Sequence, residues 1–259
     1  MDGLTTAGRY IFAISMGAFG VQYLIYAHSA PDLINIPPYT VARPLSAYLV
    51  GICLVGVTLS VASAKKAVVS ARLLGAGFFL VFLIFYLLKI LAFLLQRSWG
   101  QALDTRGFET LATAATAFVL AAAFPAEGGD FLGRPFSVRT TAQAGRILFA
   151  ISLATFGVMH VRYPRGVASL IPAWIPARVF LAYFTGAGFL AAALSIALGK
   201  VTRLAGSLLA AMFLIWVVVL HSPRVAHALH NGDEWSSLLF ALCMGGAGFI
   251  FAGAFPKKD

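Results

Sequence analysis

The sequence predicts an all-α membrane protein with eight transmembrane helices, arranged as two parallel four-helix-bundle repeats. Composition, the spacing of apolar runs and an internal repeat predict it. The 259 residues are 60% hydrophobic and only 11% charged, and mean hydropathy is +0.89. Soluble domains are about one-quarter charged. No wet exterior could enclose so much apolar surface, so the chain reads as polytopic.

A helix needs roughly 20 apolar residues to cross the hydrocarbon, and there its backbone must satisfy its own hydrogen bonds. Eight runs meet that need: Arg9 to Tyr26, Pro44 to Ala62, Arg72 to Leu95, Phe108 to Phe124, Arg146 to Tyr163, Val179 to Leu198, Arg203 to Leu220 and Ser236 to Phe255. Glycines recur inside them, as at Gly245, Gly246 and Gly248, and small residues let membrane helices approach closely. The N-terminus, MDGLTTAGRY, lacks the pattern of a cleaved signal, so the first run is expected to stay as a helix. Cys53 and Cys243 stand singly, with no CxxC for a dithiol pair or haem attachment.

The repeat is visible in the letters. AGRYIFAISMGAFGVQY from Ala7 lies over AGRILFAISLATFGVMH from Ala144, identical at ten of seventeen positions. IPPYTVAR at Ile36 lies over IPAWIPAR at Ile171, and Arg72 and Gly75 lie over Arg203 and Gly206. AAAFP at Ala121 lies over AGAFP at Ala252. Four helices per unit is an even number, so both units start on the same side and the repeat is parallel. The expected organisation is a first unit at 1–125, degenerate in its polar residues, a cytoplasmic linker at 126–143 and a second unit at 144–259.

Net charge is +10. The basic residues sit mostly in short loops, so lipid headgroups and topology explain them and nucleic acid does not. Eleven Lys and Arg fall on the side of the N-terminus and eight on the other. That bias predicts an inner (plasma) membrane protein with both termini in the cytoplasm.

Candidate chemistry gathers at the outer end of the second unit. His160 ends helix five and His221 ends helix seven, at one depth. Their counterparts in the first unit are Tyr23 and Ile90. Trp174 and Arg178 follow helix five, Tyr183 and Thr185 open helix six, and Trp216 and Arg224 flank His221. A His or Tyr can hydrogen-bond a quinone carbonyl, Arg can stabilise an oxyanion, and Trp can stack on a ring. Imidazole exchanges protons near neutral pH. The competing explanation is interfacial anchoring, which gathers Trp, Tyr and Arg in any polytopic protein. A b-type haem between the two His is the weaker reading, since helix ends lie shallow. His221, His227 and His230 with Glu234 fall in a stretch read as exposed loop, so no metal site is assigned. Lys89, inside helix three, either snorkels or pairs with Glu109. There is no Gly-rich phosphate loop, GxSxG or HExxH, and no cofactor is evident.

These residues carry a family likeness. Gly145-Arg146, Gly157 and His160, Pro172, Trp174 and Pro176, Tyr183, Thr185 and Gly186, then Trp216, His221, Pro223 and Arg224 resemble the DoxX family of bacterial membrane proteins. The likeness covers the second unit closely and the first more weakly, where Tyr39 stands for Trp174. It implies a fused pair of DoxX-type units. Relatives include subunits of thiosulfate:quinone oxidoreductase, and others associate with thiol-redox or superoxide-handling proteins. The expected function is therefore a quinone-linked or redox-associated membrane subunit. Membrane lipids and a redox partner protein are the expected partners. The alternative is a non-enzymatic carrier of small molecules or lipids, or a purely structural subunit.

Overall fold

A computed structural model describes residues 1–27, 43–97, 105–124 and 138–255, and among them every regular element is helical. Tyr39, most of the expected linker and the basic pair at 257–258 lie outside the described residues. The helices are α1 (Gly3–Ile25), α2 (Arg43–Ser63), α3 (Ala67–Leu95), α4 (Thr105–Ala123), α5 (Val138–Arg162), α6 (Pro164–Leu170), α7 (Arg178–Leu198), α8 (Thr202–His227) and α9 (Gly232–Ala254). Two contain wide π-turns, at Phe82–Leu87 in α3 and at Val217–His221 in α8.

Six helices are long and apolar enough to cross a membrane: α2, α3, α5, α7, α8 and α9. The chain is thus compatible with a multi-pass membrane protein. The two other expected spans, α1 and α4, fall short of that apolarity, and their surroundings explain why. The face of α4 is Ala and Thr, and residues from Leu111 to Ala117 are buried in protein. Thr110, Thr113 and Thr116 satisfy their own hydroxyls on the carbonyls one turn back, at 2.8–3.0 Å. In α1, Ser15 does the same, and Gln22 donates to the Gly232 carbonyl at 2.7 Å and to Ser236 Oγ at 3.0 Å. A helix surrounded by other helices does not need the apolarity of one that faces lipid.

Packing follows a pattern. α1 lies along α9 and α2, α5 lies along α4 and α7, α3 packs on α4, and α8 packs on α9. The two most extensive interfaces, α1 with α9 and α4 with α5, join the first half of the sequence to the second. The halves share one core, in which Phe149 stacks on Phe251 with centroids 4.1 Å apart. Two-thirds of the α9 span is buried (67%), against 22% for α2, α3 and α8, so α9 is central and those three peripheral.

Glycine permits these approaches. A Cβ on Gly8 would lie 2.6 Å from the Gly246 carbonyl, and one on Gly206 would lie 2.6 Å from the Gly248 carbonyl. Both distances are below van der Waals contact, so any side chain there forces the helices apart. At the N-terminal end Arg203 donates to Asp2 at 2.9 Å, an exposed link between α8 and the start of α1. The Arg203 hydrogen bond, and then the Leu4 amide, hold the Asp2 carboxyl below its ordinary value. Its contribution is therefore present above the usual carboxylate range and is lost as pH falls through the lowered pKa. Exposure keeps that contribution small.

Gly206→Val is expected to destabilise the fold by about 1–3 kcal/mol through overpacking against Gly248. Gly56→Ala and Gly77→Ala, where nothing lies within 4 Å of the added Cβ, should change stability by less than about 1 kcal/mol. Unfolding midpoints in mild detergent check the contrast.

Candidate functional site

At the end of the bundle away from Gly3, the helices enclose a cavity of about 590 Å³. Its walls come from α4, α5, α6, α7, α8 and α9, with Phe19 of α1 at the base. Aromatic rings form the deep wall. Phe189 sits 5.9 Å from Phe156 and 5.5 Å from Phe213, and Phe156 lies 6.3 Å from Phe240. These edge-on and tilted geometries are those that aromatic quadrupoles favour. Polar groups ring the rest: His160, Thr185, His221, Arg224, Arg106, Glu109 and Asp233. An apolar body with a few convergent polar groups is the usual form of a small-molecule site.

His160 is placed by backbone contact. It stands one turn after Gly157, which meets Gly186 of α7 so closely that a Cβ on Gly186 would lie 2.8 Å from His160 Cβ. Its Nδ1 donates to the Phe156 carbonyl at 2.8 Å. A carbonyl only accepts, so Nδ1 carries the hydrogen and Nε2 of the neutral ring keeps its lone pair. The ring meets the edge of Phe189 at 5.1 Å. Two geometric facts thus fix both the position and the tautomer of His160.

His221 closes the π-turn of α8. Pro223, two residues on, has no N–H, and its ring clashes with the carbonyl four residues back in a regular α-helix. The wider turn relieves that conflict. The Val217 carbonyl accepts the Ser222 amide across this turn, and Ser222 Oγ donates to the same carbonyl at 2.7 Å. His221 Nδ1 is buried with no hydrogen-bond partner among the described residues. Arg224 Nη2 donates to Glu234 Oε1 at 2.8 Å, with side chains 30% and 19% exposed. Asn231 caps α9 beside this pair by accepting from the Asp233 amide at 2.9 Å.

Five of the eight residues expected from the sequence line the cavity: His160, Thr185, Trp216, His221 and Arg224. Three lie outside its walls. Trp174 is 72% exposed, Tyr183 is 45% exposed, and Arg178 is exposed at the start of α7. Tyr183 and Thr185 share a depth but stand two residues apart. On a helix that is about 200° of rotation, which sends Thr185 inward and Tyr183 outward. The structure also adds wall residues from the first half, Phe19, Thr105, Arg106 and Glu109. A carboxylate and a guanidinium opening an Ala/Thr-rich helix was the signal for the last two. Lys89 is exposed, with Nζ 5.8 Å from the Phe93 ring centre. Among the described residues no three His, Cys, Asp or Glu group as a metal would need. His227 and His230 are exposed.

Residues 149–234 match a family described as a Domain of unknown function (DUF8561). The matched third of the chain contains all eight residues singled out in the sequence. No curated protein and no solved structure matches the chain.

Arg224→Met is expected to strand the half-buried Glu234 carboxylate and destabilise the fold by about 1–3 kcal/mol. That is less than for a fully buried pair because both side chains keep some solvent. Adding Glu234→Met should recover most of the loss, and a double-mutant cycle on unfolding midpoints measures the coupling.

Proposed function

We propose that the protein is a quinone-linked, redox-associated membrane subunit that binds a lipid-soluble ring in this cavity. The observation that carries the reading is the cavity itself: an aromatic wall facing two imidazoles from different helices. In this reading a quinone-sized ring lies against the wall made by Phe156, Phe189 and Phe213, with its oxygens toward His160 and His221. Arg224 is committed to Glu234, so its role here is to hold the neighbourhood of His221. The residues present name no catalytic step, and a partner protein would supply electrons.

The same proposal takes the chain as eight spanning helices in two parallel DoxX-type units, with both termini in the cytoplasm. Matched interactions support the duplication. Ser60 donates to the Lys65 carbonyl, and Ser195 donates to that of Lys200. Arg9 lies over Phe124 and Arg146 over Phe255, each at 5.7 Å. Gly20 meets Gly51 as Gly157 meets Gly186. In this reading Tyr23, fully buried, occupies the place of His160, which leaves the second unit to hold the ligand. A carrier of small molecules or lipids is the second reading. It is favoured by one observation, that the first half also contributes wall residues.

Protein purified in mild detergent should carry a co-purifying quinone, visible by mass spectrometry of the organic extract. His160→Ala with His221→Ala should reduce that occupancy at least tenfold without unfolding the chain. Extracts that hold only phospholipid in wild type and variant alike would sink the quinone reading and leave the carrier.

A further inference from the structure

His160 is held in one tautomer. Its Nδ1 hydrogen is spent on the Phe156 carbonyl at 2.8 Å, so in the neutral ring Nε2 is an acceptor only. The Gly157–Gly186 contact fixes the ring's root, and Phe189 packs against its face at 5.1 Å. His221 differs, because its buried Nδ1 has no partner among the described residues. No bond from the described residues pins its tautomer, and it can present either a donor or an acceptor. Of the two imidazoles that line the cavity, one is therefore a fixed acceptor and the other is adaptable.

We infer that the cavity selects the hydroxylated, reduced form of its ring ligand over the carbonyl form, with His160 Nε2 as the selecting atom. This rests on the ligand reading above and adds a direction to it. A ring hydroxyl donates to the Nε2 lone pair. A ring carbonyl in the same place sets lone pair against lone pair and makes no hydrogen bond to Nε2. A site built to bond a hydroxyl discriminates strongly against the analogue that lacks one. His221 satisfies the second oxygen in either state and does not contribute to the preference. The selection concerns binding alone; no electron or proton transfer is part of it.

The test uses the full chain in nanodiscs under anaerobic conditions, with binding followed by Trp fluorescence and calorimetry. The probes are a decyl-substituted 1,4-benzoquinone and its hydroquinone. A redox-inert pair, 4-decylphenol and its methyl ether, separates hydrogen-bond donation from redox state. Wild type is expected to bind the hydroquinone and the phenol about tenfold more tightly than the quinone and the ether. His160→Phe removes the acceptor, and His160→Gln presents both a donor and an acceptor. Both variants should bind the members of each pair within about twofold of one another, and circular dichroism confirms that they fold. His221→Phe should keep the preference. Equal binding of both forms to wild type, or a preference that survives in folded His160 variants, overturns the inference while the ligand reading stands. Absence of binding by all four probes overturns the ligand reading, and the selection with it.

Discussion

Backbone-to-backbone approach at glycine is the constraint on which this structure depends. In a bilayer, lipid tails are as apolar as leucine, so burying greasy side chains gives helices little reason to associate. Association must come from close packing, and Gly8 on Gly246, Gly206 on Gly248 and Gly157 on Gly186 provide it. Each contact brings main chains nearer than any side chain would allow. The first two lock the helices that carry the core, and the third fixes the backbone from which His160 reaches the cavity. Apart from Phe149 on Phe251, the large aromatic pairs lie off these contacts, where the helices leave room for rings.

The cavity follows from where the contacts stop. α5 and α7 touch at Gly157 and Gly186; one turn further on α5 carries His160 into the cavity wall, α7 adds Thr185 and Phe189, and α6 adds Gly166, Val167 and Leu170. α8 cannot continue as a regular helix through Pro223, and its π-turn places His221 at the rim. The pocket is thus the region between two sequence features, a glycine contact and a proline, with phenylalanines filling the space behind it. Polar groups at this end are either bonded, as Arg224 is to Glu234, or lack a partner, as His221 Nδ1 does. Unsatisfied buried atoms beside a cavity mark where a ligand or water has most to gain by binding.

Much of the fold was legible because hydropathy and length report directly on a bilayer. Apolar runs located the helices, although α5 begins at Val138 rather than Arg146 and α8 runs on to His227 rather than Leu220. α1 and α4 fall below the apolarity of the other six, and in α4 a run of Ala and Thr is interior without being greasy. The short α6 escaped notice, although Pro164 at its first position is a helix-start signal. At the site, depth was legible and azimuth was not. His160, Thr185 and His221 were grouped correctly by distance along the helix, but so were Tyr183 and Arg178, which point elsewhere. Trp174 follows α6, and no periodicity governs its direction. Arg106 and Glu109 were missed as wall residues because their helix belongs to the other half of the sequence.

The partnership of α1 with α9 bears on how the protein is made. Gln22 finds its acceptor at Gly232, 210 residues later in the chain, and α1 finds its largest interface on α9. α1 leaves the ribosome long before α9 exists. During that interval Gln22 and Gly8 lack the α9 groups they meet in the folded chain. Completion of this interface therefore waits for the last helix, and a chain that stops short of α9 leaves the earliest helix without its most extensive contact.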